Sequence, residues 1–246
     1  MKTRSWKILL AVSLLLSSVL IFLIQVVLFH DARDTVFYLL QDLAFIPVQV
    51  LLVTLILNRF LEHRDKSTRL NRMNMAIGVF FSECGNPLLK SLSAFDSRSA
   101  AVRDLMQISA QWTAPDFDRV LPLLQKQHPD IDCSRSDLTA VRHFLLEKRP
   151  FLLSLLENSN LLEHDAFADL LWAVFHLAEE LGYRPHVATL SKADSEHLAK
   201  DIARVNTLLY VQWMAYLRHL KEQYPYLFSL AVRMNPLNPT ANAEVR

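Results

Sequence analysis

Two apolar stretches near the N-terminus constrain this chain more than any other feature. The first, residues 8–29, contains no charged side chain, and the second covers residues 36–57. As a helix, each is roughly 33 Å long at about 1.5 Å per residue, enough to cross a hydrocarbon core of about 30 Å. The sequence therefore predicts two transmembrane helices. A cleaved signal peptide is disfavoured, because the first stretch exceeds the usual apolar region and no small-x-small site follows it.

The short connection between these stretches determines their topology. Only residues 30–35 separate them, so the two helices must form a hairpin with both chain ends on one side. Basic side chains flank the hairpin on both outer sides: Lys2, Arg4 and Lys7 before it, and Arg59, Arg64, Lys66, Arg69 and Arg72 after it. Positive flanks stay in the cytoplasm, and the second cluster would also meet anionic lipid headgroups. We expect both termini in the cytoplasm.

Four polar residues interrupt the two spans. Gln25 lies in the first, and the second contains Tyr38, Asp42 and Gln49, which share one helix face at i, i+4 and i+11. Polar groups in lipid seek polar partners, so one reading is contact with another helix of the hairpin or of an oligomer. Two others stay open: a water-filled or ion-conducting path, and a location of Asp42 among the headgroups.

The rest of the chain is predicted to be helical and soluble. It lacks the alternating apolar and polar pattern of β-strands. We expect a stalk helix over residues 58–94 that joins the core from Met73 onward, a cytosolic helical domain over 95–234, and a disordered tail over 235–246. The predicted fold class is all-α: the transmembrane hairpin of residues 1–57, followed by a cytosolic multi-helix bundle.

Two amphipathic segments in the C-terminal half predict the core of this bundle. In each, apolar residues recur every three or four positions, as on the buried face of a helix. They are Phe167, Leu171, Val174, Ala178 and Leu181 in the first, and Leu198, Ile202, Val205, Leu209, Tyr216 and Leu220 in the second. We expect Asp165 and Asp194 to open these two helices, and Pro150 to break or restart an earlier one.

Composition excludes several classes of function. The chain has three glycines, Gly78, Gly85 and Gly182, and they are too far apart to form a phosphate-binding loop. The net charge of +1 gives no reason to expect a nucleic-acid partner. No Gly-x-Ser-x-Gly elbow occurs, and neither Cys84 nor Cys133 lies in a catalytic or metal-binding spacing. We expect no cofactor.

A metal site is the main chemical alternative. Asp169, His176 and Glu180 lie on one face of a predicted helix, and Glu196, His197 and Asp201 lie on the next. Converging carboxylates and imidazoles make the metal sites of helical bundles. The order His176-x-x-Glu179, however, reverses the Glu-x-x-His of di-iron bundles, and His176 points away from the apolar stripe. We therefore expect a solvated polar face and no metal, with His176, Glu180 and Asp169 as the remaining candidates.

Four segments of the chain resemble an uncharacterised family of bacterial two-span membrane proteins with a helical cytosolic domain. They are Tyr38-Leu39-Leu40-Gln41-Asp42-Leu43-Ala44-Phe45, Gly78-Val79-Phe80-Phe81-Ser82-Glu83, Asp169-Leu170-Leu171-Trp172-Ala173-Val174-Phe175-His176-Leu177 and Tyr224-Pro225-Tyr226-Leu227-Phe228-Ser229-Leu230-Ala231. The resemblance covers most of the chain from about position 36. It implies a bacterial inner-membrane setting and carries no assigned activity.

These observations favour a non-enzymatic protein. The expectation is that a membrane hairpin anchors the chain, associates with other copies of itself, and presents a helical domain that binds an unidentified protein or regulates a membrane process. The first alternative is a subunit of an oligomeric channel or transport complex, with the second span lining the path. The second is a membrane-bound metalloenzyme that uses His176 and Glu180.

Overall fold

The computed structural model describes residues 32–162 and 164–244, with scattered helical positions at 16, 17, 19–21, 23, 24 and 27. Most of the first predicted span therefore lies outside the described residues, as does Gln25. Side chains are also not described at 32–35, 39, 44, 58, 61–72 and 160. All regular structure in these described parts is helical, apart from an isolated bridge between Asp96 and Ile131. The all-α prediction is confirmed for this part of the chain.

The described helices follow one another with short connections. In chain order they are α1 (Ala32–Phe80), α2 (Asn86–Ser93), α3 (Ser99–Leu105), α4 (Ala114–Gln125), α5 (Leu138–Leu156), α6 (Ser159–Leu162), α7 (Asp165–Tyr183), α8 (Lys192–Gln223) and α9 (Pro225–Arg233). A π-helical turn, Phe81–Gly85, joins α1 to α2. The chain divides into two compact units, Met1–Lys66 and Ser67–Arg246.

The first unit contains the segment Val36–Leu57 of α1. By length and composition this segment is able to cross a membrane, with a mean hydropathy of 2.0, and it is the one described segment that meets those criteria. None of it is buried, which distinguishes it from the core helix of a soluble domain. Its bounds coincide with the second predicted span.

The second unit is a helical bundle built around α8. This helix contacts α7, α4, α9 and α2, and its buried residues include Trp213 and Tyr210, the two largest fully buried side chains. Both predicted stripes face this core. All five members of the first are buried, and in the second only Tyr216 is half-exposed. The amphipathic pattern predicted this core because a helix buries residues at i, i+3 and i+4.

Two expected helix boundaries were wrong. α5 runs through Pro150 without a break, and buried Leu145 and Leu152 lie on either side of it. Their burial offsets the hydrogen bond that proline removes. α8 begins at Lys192 rather than Asp194, because the Ser191 hydroxyl caps it by accepting from the Asp194 backbone N–H at 3.2 Å.

The chain stays docked beyond α9, where we expected disorder from residue 235. Asn235 and Leu237 are buried. The Asn235 amide donates to the Met106 carbonyl at 2.8 Å, and the Asn235 oxygen accepts from the Leu237 backbone N–H at 3.0 Å. One polar side chain thus satisfies two buried backbone groups, which holds the start of the tail against the domain.

Candidate functional site

The site begins with the packing of α7 against α8. The loop 184–191 joins the two helices. Each helix has an N-cap residue: His164 Nδ1 accepts from the Phe167 backbone N–H at 3.2 Å in α7, and Ser191 caps α8. Glu180 of α7 contacts His197 of α8, and His176, one turn earlier in α7, contacts Asp201, one turn later in α8. The two helices are therefore antiparallel. Their apolar stripes face each other, so the polar residues beside the stripes meet along one edge.

Two histidine–carboxylate pairs meet along this edge, and we call them the α7–α8 cluster: His176 and Glu180 on α7, His197 and Asp201 on α8. Each pair has i, i+4 spacing, which places both side chains on one helix face. His197 Nε2 lies 3.4 Å from Glu180 Oε2 and 3.4 Å from Asp201 Oδ2. His176 Nε2 lies 3.7 Å from Asp201 Oδ2 and 4.0 Å from Glu180 Oε1. Each imidazole therefore faces both carboxylates.

Burial differs between the two kinds of side chain in the α7–α8 cluster. The side chains of Asp201 and Glu180 are 17% and 26% exposed, whereas both histidines are 52% exposed. Asp201 Oδ2 is itself buried and has no hydrogen-bond partner among the residues that the structure describes. A buried carboxylate oxygen without a donor is costly, so this atom would gain from a cation.

Arg184 contacts both helices, through Glu180 of α7 and Asp194 of α8. Its guanidinium donates to the Glu180 carboxylate at 2.5 Å and to the Glu180 carbonyl at 2.7 Å. It also donates to Asp194 Oδ1 at 3.1 Å. The hydrogen bond from Arg184 holds the pKa of Glu180 below its usual value, assisted by the charges of Arg184, His197 and His176 and opposed by partial desolvation. Glu180 is therefore a carboxylate at neutral pH.

The structure brings together only part of the predicted metal set. His176 and Glu180 meet, but Asp169 is exposed and lies seven residues before His176, about 10 Å along the axis. Glu196 contacts Lys192 at 3.9 Å instead. His197 and Asp201 complete the cluster. The signal for them was the His-x-x-x-acid spacing in both helices, because an antiparallel pair with short connections sets two such motifs against each other.

The polar residues predicted to lie in the second membrane span are exposed on α1. Tyr38, Asp42 and Gln49 are all exposed on α1, on one face by helical geometry, and the Tyr38 ring meets Phe37 edge-on at 5.8 Å. Arg59 is exposed as well. The side chains of Arg64, Lys66, Arg69 and Arg72 lie outside the described residues.

Comparison with known proteins gives the family. Residues 69–233 match a family model described as the C-terminal helical domain of the uncharacterized protein MJ1433, and residues 2–61 match the model of its N-terminal helical domain. The chain belongs to the MJ1433 family. It is 40% identical over 238 residues to the uncharacterized protein MJ1433 of Methanocaldococcus jannaschii, covering 97% of this chain and 96% of that protein.

Membership of the MJ1433 family agrees with the helical organisation and refines the resemblance noted from the sequence. Both family models describe helical domains, and their border falls between residues 61 and 69, close to the division of the structure after Lys66. The relative is archaeal, so this comparison does not support the bacterial origin that the resemblance implied. No solved structure matches the chain significantly.

Proposed function

We propose that this MJ1433-family protein is a membrane-anchored binding protein. In this proposal, the segments 8–29 and 36–57 form a transmembrane hairpin, and the helical bundle of the second unit works in the cytoplasm by binding another protein. The observation that carries the proposal is the exposure of Val36–Leu57, a segment of 22 residues in α1 that has a mean hydropathy of 2.0 and is not buried against the rest of the described structure.

Water is a poor environment for that helix. Its large apolar side chains are about half exposed, for example Val50 at 58% and Leu51 at 59%. Burying one such side chain completely is worth roughly 1.5–3 kcal/mol, so a helix of this length exposed to water would carry a penalty far above the stability of an ordinary domain. Lipid removes the penalty, and a helix satisfies its own backbone hydrogen bonds there.

The basic flanks support the orientation. Lys and Arg residues precede the first segment and follow the second, whereas the connecting turn contains one basic residue, Arg33, between two aspartates. The positive-inside rule then places both ends and the helical bundle in the cytoplasm. For a bacterial or archaeal cell this is the inner, energy-conserving membrane.

Membrane attachment is tested by alkaline carbonate extraction of membranes that contain the full chain. Carbonate strips peripheral proteins and leaves spanning proteins in the pellet, so we expect the protein in the pellet. A matched pair of variants sharpens the result: Ile46→Lys with Val50→Lys adds about 5–7 kcal/mol to the cost of inserting the second span, whereas Ile46→Leu with Val50→Leu adds none. Release of the intact wild-type protein into the supernatant would overturn the anchor.

The polar face of Tyr38, Asp42 and Gln49 supports self-association of the anchor. Interhelical hydrogen bonds in lipid contribute about 0.6–2 kcal/mol each. Replacement of Asp42 by Ala should therefore reduce the dimer recovered by crosslinking in membranes. Leu40 is 58% exposed and lies on the opposite face, so Leu40→Ala serves as the control. Equal crosslinking of the two variants would exclude this face as the contact.

Protein binding is supported by an aromatic surface on α7, formed by Trp172, Phe175 and Tyr183. Trp172 is 53% exposed and Tyr183 is 83% exposed, and both lie on one helix face because they are separated by 11 residues. Arg149 of α5 covers the Phe175 ring at 5.4 Å and pairs with Glu179 at 3.3 Å. Exposed Trp, Tyr and Arg side chains are typical of protein interfaces.

A photocrosslinking amino acid at position 172 or 183, in cells of the source organism, tests this surface. We expect a discrete crosslinked species from both positions, of the same mass and the same identity by mass spectrometry. Glu147 is exposed on α5 and provides the control position. Crosslinks that are equally frequent at all three positions, or absent at 172 and 183, would contradict a binding surface here.

A further inference from the structure

We propose that the α7–α8 cluster binds one divalent transition-metal ion of the zinc class, with His176, Glu180, His197 and Asp201 as ligands. This site lies wholly within the helical bundle. It is independent of the proposed membrane anchor, which could fail without affecting it, whereas His176 lies on the same face of α7 as Trp172 of the aromatic surface.

Two of the four distances within the cluster match the spacing of ligand atoms around a metal ion, whereas the two contacts of His176 are longer. Ligand atoms bound to zinc at about 2.0–2.1 Å in a tetrahedron lie about 3.3 Å from one another. The contacts of His197 Nε2 with Glu180 and Asp201 both measure 3.4 Å. Asp201 Oδ2 nevertheless accepts no hydrogen bond from the described part of the chain, although imidazole nitrogens of His197 and His176 lie 3.4 and 3.7 Å from it. An ion between these atoms would satisfy that oxygen.

Three of the four proposed ligands form a close group, and the fourth lies beside it. Glu180, His197 and Asp201 offer ligand atoms that all lie within 4.8 Å of one another, the one such group of three or more among the described residues. His176 Nε2 lies 3.7 Å from Asp201 Oδ2 and approaches from the opposite helix. We assign the first three residues as the core ligands and His176 as the fourth. The half-exposed histidines leave the site open to exchange with solvent.

The charge around the cluster matches a divalent cation. Three carboxylates lie there, Glu180, Asp201 and Asp194, and Arg184 supplies one positive charge to them. Metal-binding imidazoles are neutral, so with a metal bound two negative charges remain, which one divalent ion neutralises. The imidazole nitrogens select the kind of ion, because Ca²⁺ and Mg²⁺ prefer oxygen ligands whereas imidazole suits zinc and its neighbours.

Arg184 acts as a positioning residue for this site. Its guanidinium donates to Glu180 Oε2, the same oxygen that faces His197, and anchors the start of α8 through Asp194. Partners of this kind fix the orientation of a metal-binding side chain, and their loss commonly weakens binding 10- to 100-fold. Loss of Arg184 should therefore weaken metal binding without removing a ligand.

The test is a titration of Zn²⁺ into the untagged full chain, purified in mild detergent and stripped with a chelator. Bound metal is counted by elemental analysis, and affinity is measured by calorimetry. We expect one ion per chain. His197→Gln and Asp201→Asn should each weaken binding by more than about tenfold, and Arg184→Gln by about tenfold. His143→Gln is the matched control, because exposed His143 and Glu147 on α5 have the same i, i+4 spacing without the second pair.

Several results would overturn the proposal. They are the absence of stoichiometric zinc, wild-type affinity in both His197→Gln and Asp201→Asn, and equal affinity for Ca²⁺. Circular dichroism of each variant checks that the helices remain folded, and the substituted histidine is half exposed, so its replacement should leave the fold intact. If carbonate extraction releases the protein, the same zinc titration is performed without detergent. The result for zinc binding is therefore separate from the result for membrane attachment.

Discussion

Gly85 leaves room for the ring of Phe81 in the π-helical turn: a Cβ atom at Gly85 would lie 2.5 Å from Phe81 Cδ1. It would also lie 2.9 Å from Phe80 Cε1. Both rings are completely buried, and each packs against a second aromatic ring, Phe80 against Phe167 and Phe81 against Tyr216. The aromatic centre of the bundle therefore depends on the missing side chain at this position.

Replacing Gly85 with Ala should destabilise the helical bundle. The added methyl must displace rings that are already close-packed, and overpacking of this kind costs about 1–3 kcal/mol. Thermal or urea unfolding followed by circular dichroism measures the loss. Gly182→Ala is the control: its Cβ would lie 3.1 Å from a terminal methyl of half-buried Leu146, which has room to move, so we expect a change below about 1 kcal/mol. Equal losses in the two variants would contradict this account of Gly85.

Removing the Asn235 side chain should release the docked start of the tail. Asn235→Ala leaves the buried Leu237 N–H without its partner, at a cost of about 1–3 kcal/mol, and removes one of two donors to the Met106 carbonyl, which also accepts from the Ile108 N–H at 3.0 Å. Hydrogen exchange of the Leu237 amide should accelerate, and limited proteolysis should cut near it. Asn238→Ala, in an exposed turn, should change stability by less than about 1 kcal/mol. Unchanged protection at Leu237 in Asn235→Ala would show that other contacts hold the tail.

The capping box at the start of α4 makes stability depend on pH. Hydrogen bonds from the backbone N–H and then the hydroxyl of Thr113, each 2.8 Å long, hold the pKa of Asp116 below its usual value. A lowered pKa in the folded state contributes stability above the unfolded value, and this stability is lost as pH falls through the folded value.

Asp116→Ala should therefore be less stable than wild type at neutral pH, and the difference should shrink as the pH falls below about 4. Denaturation midpoints at several pH values measure this. Thr113→Ser keeps both donors, so it should follow the wild-type profile. A difference between Asp116→Ala and wild type that stays constant down to acidic pH would mean that the carboxylate charge is not responsible.

Local patterns predicted much of the fold from the sequence. The stripes on α7 and α8, and the expectation that the stalk helix joins the core at Met73, identified residues that the structure buries, because helix periodicity fixes which side chains share a face. The helix through Pro150 and the docked Asn235 were missed, since both depend on tertiary contacts that no local pattern reveals.

The sequence likewise predicted part of the candidate site and missed the part that depends on tertiary contacts. His176 and Glu180 were singled out because they share one helix face. Their meeting with His197 and Asp201 depends on how α7 and α8 are aligned, and the loop and the packed stripes set that alignment. Comparison with the Glu-x-x-His order of di-iron bundles led us to expect no metal, and the i, i+4 pairs on both helices are the sequence signal for the cluster of side chains itself.

Thiol labelling in intact cells tests most directly the claim that lipid surrounds the segment 36–57 with the helical bundle in the cytoplasm. Cys133 is replaced by Ser. Cys84 stays, because it is fully buried and burial raises the pKa of its thiol to about 12, which keeps it unreactive. A single new cysteine is then placed at Thr35 or at Ser67. A membrane-impermeant maleimide should label Thr35→Cys in intact cells and Ser67→Cys only after the membrane is permeabilised. Labelling of Ser67→Cys in intact cells, or of both positions only after permeabilisation, would contradict the hairpin.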